Sequence, residues 1–301
     1  MKKIIISSSL LLMLTMTHSV MAALNIFACE PEWSSLADEI GGDRVKIYSA
    51  TTAFQDPHHI EARPSLIAKV RRADLLFCSG AELEIGWLPM LQRQAGNRFV
   101  LPGKQGYLEA AAVVERLDVL VDVDRSMGDV HSTGNPHVHL DPRRIQIISK
   151  ALLDRLIAID PDGADYYQQR YEQFTQRWQV AIEKWQQQSK DLKGMRAVVH
   201  HRDWVYLFDW LGIEIVGALE PKPGLPTTVG HLVTLKKMLV SKPAKVIVHT
   251  TYQNSRAANR FSKMTNTPVV ELPYTVGGNE EVNDLFSLFE VTIQKLISVS
   301  K

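Results

Sequence analysis

Short apolar blocks alternate with stretches of helical periodicity along the first half of the chain. Residues 25–29, 45–50 and 74–78 are compact apolar runs of strand length. Residues 33–40 and 64–70 instead space their apolar side chains by three and four, as one buried helix face requires. The resulting βαβαβ order predicts a parallel sheet with crossover helices. Asp56-Pro57 and the glycines at 103 and 106 punctuate the pattern where turns are needed.

Strand signals then vanish from Pro142 to about Lys193. Tyr167, Tyr171, Phe174, Trp178, Ile182 and Trp185 recur at spacings of three and four, which lays an aromatic stripe along one helix face. Asp160-Pro161-Asp162 predicts the start of that helix, with Asp160 as its cap and proline in the first turn. Residues 162–189 would span roughly 40 Å at about 1.5 Å per residue, enough to bridge two domains. After Gly194 the alternation returns, with strands predicted at 196–200, 214–216, 245–249 and 268–272. Helices are predicted at 204–211, 228–239, 255–264 and 282–297. The expected architecture is α/β: a lobe over 23–150, a linking helical region over 151–193 and a second lobe over 194–301, each lobe built on a parallel sheet.

Residues 1–22 change the setting. Lys2 and Lys3 precede an apolar run from Ile4 to Met16, and Val20-Met21-Ala22 offers small residues for cleavage, the pattern of a secretory signal peptide. That run falls short of the roughly 20 apolar residues of a membrane-spanning helix. No cysteine stands just after the expected cut, so the reading is a soluble, monomeric periplasmic protein with no lipid anchor. Lys+Arg (34) and Asp+Glu (33) nearly cancel and form no block, which points away from nucleic acid or an anionic membrane as partner. Cys29 and Cys78 end two of the predicted strands. Neighbouring parallel strands suit a disulfide poorly, so two buried thiols are expected ahead of a bridge.

Ten histidines occur, most of them at strand ends or in the loops that follow. Open parallel sheets bind ligands beyond the carboxyl ends of their strands. His58-His59, His137 with His139, and His200-His201 all fall at such positions. Imidazole is the commonest side-chain metal ligand and suits zinc, copper, nickel and iron, whereas carboxylates favour harder ions. HExxH and paired-cysteine zinc motifs are both missing, so these groups can meet only through the fold.

Asp56-Pro57-His58-His59-Ile60-Glu61-Ala62-Arg63-Pro64-Ser65, followed by Ala73-Asp74-Leu75-Leu76 and Ser79-Gly80-Ala81-Glu82-Leu83-Glu84, resembles the signature of metal-binding receptors of ABC importers, the group that includes zinc and manganese receptors. Asn135-Pro136-His137 with Leu140-Asp141-Pro142 is similar to a second motif of that family. His201 with Trp204, Tyr206 and Leu207 is similar to a third, and Glu220-Pro221-Lys222-Pro223 to a further element. The resemblance runs in order through nearly all of the chain beyond residue 22. It implies two α/β lobes joined by one long rigid helix, with the metal held between them for delivery to an ABC-type membrane permease.

Carried over residue by residue, the resemblance makes His58, His137 and His201 the metal ligands. Manganese-preferring members tend to carry a carboxylate at the third position, so the imidazole here implies zinc, with manganese second. Many members place an aspartate after the last strand, where this chain has Leu272-Pro273-Tyr274-Thr275. The fourth ligand is therefore left to water, Glu220, Glu280 or another histidine. The long His- and acid-rich loop of many zinc receptors is reduced here to Asp129 and His131.

Other residues carry two readings each. His59 is expected in an outer shell or at the surface, His139 in packing, His231 on a helix surface, and His249 buried or facing the cleft. Asp56 and Asp141 either orient ligating imidazoles or cap loops. Glu82 and Glu84 either line the crevice mouth or lead into a helix. Trp87 and Trp204 are expected as wall. The rival classes are a periplasmic zinc hydrolase, which would need an open coordination position and a substrate pocket, a receptor for a larger chelate, and an adhesive protein that kept the receptor fold.

Overall fold

The computed structural model describes residues 23–120 and 130–300; the expected signal peptide lies outside them. The first lobe runs β1 (Leu24–Ala28), α1 (Pro31–Gly41), β2 (Val45–Ser49), α2 (Pro64–Arg71), β3 (Leu75–Cys78), α3 (Leu88–Ala95) and β4 (Tyr107–Glu109). Helices α4 (Pro142–Ile159) and α5 (Ala164–Ser189) follow. The second lobe runs β5 (Arg196–Val199), α6 (Val205–Leu211), β6 (Glu214–Ala218), α7 (Val229–Met238), β7 (Val246–Thr250), α8 (Arg256–Thr265), β8 (Val269–Leu272) and α9 (Leu285–Ser300). The two sheets, ordered β2-β1-β3-β4 and β6-β5-β7-β8, are parallel throughout and repeat one topology.

Strand alternation sorts the core. Ile26, Ala28, Leu75 and Phe77 face one cluster that continues through α1, α4, α5 and α9 to Ala197, Val199, Val246 and Val248. Phe27, Cys29, Leu76 and Cys78 face the opposite way, onto α2 and α3, as Val198 and Ile247 face α7 and α8. One apolar core is therefore shared by both lobes, and α5 is its spine. Tyr167, Phe174, Trp178, Ile182 and Trp185 are buried along α5. Trp178 stacks on Phe174 and meets Phe286 and Phe289 of α9 edge-on, and its indole N–H donates to the Pro142 carbonyl at 2.8 Å.

Three local expectations need correction. Asp160 does not cap the long helix; it accepts from Arg44 and from the Tyr167 hydroxyl at 2.7 Å, tying the helix start to the first lobe. Strand β4 was not anticipated, being only three residues long and too short for an alternation to register, and helix α3 was reached only through the reading of Glu82 and Glu84 as leading into a helix. Cys29 and Cys78 form a disulfide rather than two thiols. Pairing of Ala28 with Phe77 puts the cysteines side by side on one face, with Cα atoms 4.8 Å apart, inside the range a bridge spans. Among the described residues no helix is long and apolar enough to cross a membrane.

Candidate metal centre

The three histidines come from three separate segments. His58 sits in the loop after β2, His137 in the connection between β4 and α4, and His201 in the turn after β5, all beyond carboxyl ends of strands. Their rings form a nearly equilateral triangle, with centroids 5.8, 5.6 and 5.9 Å apart. One ligand atom from each lies within 4.8 Å of the others.

Each imidazole is fixed through Nδ1. His58 Nδ1 lies 2.7 Å from Asp56 Oδ1, which also accepts the His58 backbone N–H. His137 Nδ1 meets the Tyr274 hydroxyl at 2.8 Å, and His201 Nδ1 donates to Glu220 Oε2 at 2.7 Å. For His58 and His201 the carboxylate acceptor at Nδ1 sets the tautomer that leaves Nε2 available to an ion. The surrounding loops are braced in turn. The Trp87 indole N–H donates to the Pro57 carbonyl at 2.9 Å, and Asn135 Oδ1 accepts the His137 backbone N–H at 3.0 Å. The Asn135 amide reaches the Arg202 carbonyl at 2.8 Å, beside His201.

Electrostatics divides the rings. His137 is fully buried with no hydrogen-bond partner for Nε2; burial first, then His58 and His201, hold it well below the ordinary histidine range. His201 is pushed up to about 9: burial opposes the charge, but Asp203, Glu220 and Asp56 outweigh it. In the metal-free protein His201 therefore carries a proton at neutral pH.

Sequence reasoning missed three residues. Tyr274 is the one that holds His137. His131, treated as the remnant of a scavenging loop, brings its Nε2 to 3.1 Å from His58 Nε2. Asp203, two residues beyond His201, is fully buried with Oδ1 3.7 Å from His137 Nε2, but its oxygens already accept from the Tyr252 hydroxyl and the Gln253 amide. The only signal for His131 or Asp203 was proximity in sequence to a ligand motif.

The remaining candidates separate cleanly. Glu280 is exposed, and Glu220 is engaged behind His201. Asp141 does not orient an imidazole: it caps α4 and pairs with Arg143 and Arg144. His59 is exposed. His139 is buried edge-on against Trp33 and Tyr274, with Nε2 on the Tyr274 carbonyl. His231 bonds the Ala218 carbonyl at 2.9 Å, and the buried His249 bonds the Thr250 carbonyl at 3.0 Å. Glu84 is buried and accepts the backbone N–H groups of Ser79 and Gly80. A pocket of about 50 Å³ opens beside His58, His201 and Glu220, large enough for an ion and water. A larger cavity of about 400 Å³ flanks His131 and His201, where Arg202 is already paired with Asp118.

Known proteins resemble this chain in sequence and in fold. The metal ABC transporter substrate-binding lipoprotein ScbA of Streptococcus cristatus is 21% identical over 93% of this chain and 90% of its own length. The manganese ABC transporter substrate-binding lipoprotein PsaA of Streptococcus pneumoniae is 23% identical over 87% and 85%. Among solved structures, that of ZnuA superposes with a TM-score of 0.78 at 18% identity, covering 93% of this chain and all of that one. A Mn-bound periplasmic metal binding protein from Candidatus Liberibacter asiaticus gives 0.73 at 16% identity, over 92% and 100%. At these identities the superpositions speak for the fold. Residues 26–299 match the model of the family described as ZnuA, zinc-uptake complex component A periplasmic, and the chain belongs to that family.

Proposed function

We propose that this chain is a non-catalytic receptor that captures a divalent transition metal, zinc ahead of manganese, on His58, His137 and His201, and passes it to an ABC-type membrane permease. The observation that carries the reading is the convergence of three imidazoles, each braced at Nδ1 by Asp56, Tyr274 or Glu220. Three neutral nitrogen donors favour zinc; manganese prefers oxygen. The shared core between the lobes suits a small tilt on binding rather than a wide hinge closure. Export through residues 1–22 would put the receptor in the periplasm; the streptococcal relatives are named as lipoproteins.

Elemental analysis of protein purified without added metal, followed by competition between zinc and manganese, tests the preference. Zinc should be retained and should displace manganese. Manganese retained against equimolar zinc would overturn it.

A further inference from the structure

We propose that His131 is the fourth metal ligand and that Glu82 is the residue that positions it; this rests on the three-histidine reading above. Zinc–nitrogen bonds of about 2.0–2.1 Å place neighbouring nitrogens of a tetrahedron about 3.3 Å apart. The Nε2 atoms of His58 and His131 stand 3.1 Å apart, the separation expected of two donors to one ion. The His131 ring lies 5.2 Å from that of His58 and 6.3 Å from that of His137, so the fourth imidazole closes over one edge of the triangle.

His131 is held there by a strained turn. Gly80, Ala81 and Glu82 are consecutive left-handed residues, with φ of 75°, 47° and 70°. Glycine adopts this region freely, but alanine and glutamate do so at a cost, and such strain persists where the surroundings enforce it. The turn offers an acceptor to the segment carrying His131. The Glu82 carboxylate takes the Ser132 backbone N–H at 2.8 Å and its hydroxyl at 2.9 Å. The Gly134 N–H donates to the His131 carbonyl at 3.1 Å, and Asn135 N–H to Leu117 at 2.8 Å, so the same short segment runs on to His137. The rival acids are committed elsewhere: Glu220 to His201, Asp203 to Tyr252 and Gln253.

The test is zinc-edge X-ray absorption on the zinc-loaded full chain, with zinc affinities of His131→Ala, Glu82→Gly and the double variant. The wild type should show four imidazoles, and His131→Ala three with one oxygen and a roughly 10–100-fold weaker affinity. Glu82→Gly suits the left-handed backbone, so the metal-free protein should melt no lower than wild type while its zinc affinity falls toward that of His131→Ala. The double variant should bind no more weakly than His131→Ala alone. Three imidazoles in the wild type, or unchanged affinity in His131→Ala, would overturn the fourth ligand. Additive losses in the double variant would overturn the role of Glu82. Retention of wild-type affinity by His58→Ala, His137→Ala and His201→Ala would instead sink the three-histidine reading beneath it.

Discussion

Glu220 accepts the Nδ1–H of His201 at 2.7 Å while its same oxygen takes the Gly224 backbone N–H at 3.1 Å. The carboxylate is thus anchored from the loop behind it, and it fixes a ring that carries a proton at neutral pH.

Metal binding should release that proton. His201 sits at about 9 in the metal-free protein, raised by Asp203 and Glu220 against burial, so at pH 7 its Nε2 is protonated and must lose a proton to ligate. This group alone makes apparent affinity rise about tenfold per pH unit up to about 9. Calorimetry in buffers of different ionisation enthalpy should detect the release. Glu220→Gln should reduce it and weaken affinity by about 10–100-fold. Proton release unchanged in that variant would contradict the assignment.

The disulfide should matter to stability. Cys29 and Cys78 are 49 residues apart, and closing a loop of that length in the unfolded chain is worth about 4 kcal/mol on the chain-entropy estimate. The Cys29→Ser/Cys78→Ser double variant should lower the denaturation midpoint accordingly. The metal-free protein should reproduce that difference, since neither cysteine belongs to the centre.

A buried carboxyl pair gives stability a pH slope. Glu84 is raised to about 7, chiefly by burial, and Glu30 is raised well above its ordinary range by burial and then by Glu84 and Glu32. The folded state therefore keeps a proton on Glu84 that the unfolded chain loses near pH 4.5. The associated stability is full below about 4.5 and is lost as pH rises to 7, at up to about 1.4 kcal/mol per unit. Glu84→Gln should flatten that portion of the curve in urea denaturation between pH 5 and 8.

Truncating the spine should cost more than any surface change. Trp178 is fully buried against Phe174, Phe286 and Phe289, so Trp178→Ala should lose about 3–5 kcal/mol. Both lobes should unfold together, because they share this core. Two separate transitions in the wild type would contradict a shared core.

Strong periodicity made most of the fold legible. The aromatic stripe of α5 announced the linking helix, and seven apolar runs led to strands within one or two residues of their observed ends. Strand β4 was too short to read, and the Cys29–Cys78 bridge depended on strand register, which periodicity does not carry. In the site, His58, His137 and His201 stood out through motif resemblance. His131, Tyr274 and Asp203 did not, because each reaches the centre only through tertiary contact: Tyr274 is 137 positions from the ring it holds. Asp141 misled for the opposite reason, being near His137 in sequence yet turned toward Arg143 and Arg144.

The central claim is that His58, His137 and His201 hold the transported metal. Equilibrium zinc titration of metal-free protein against a competing chelator, carried out on His58→Ala, His137→Ala and His201→Ala with folding checked by circular dichroism, tests it most directly. Each variant should stay folded and lose at least about 100-fold in affinity, a two-decade drop equal to about 2.7 kcal/mol. Three folded variants that bind zinc as the wild type does would contradict it.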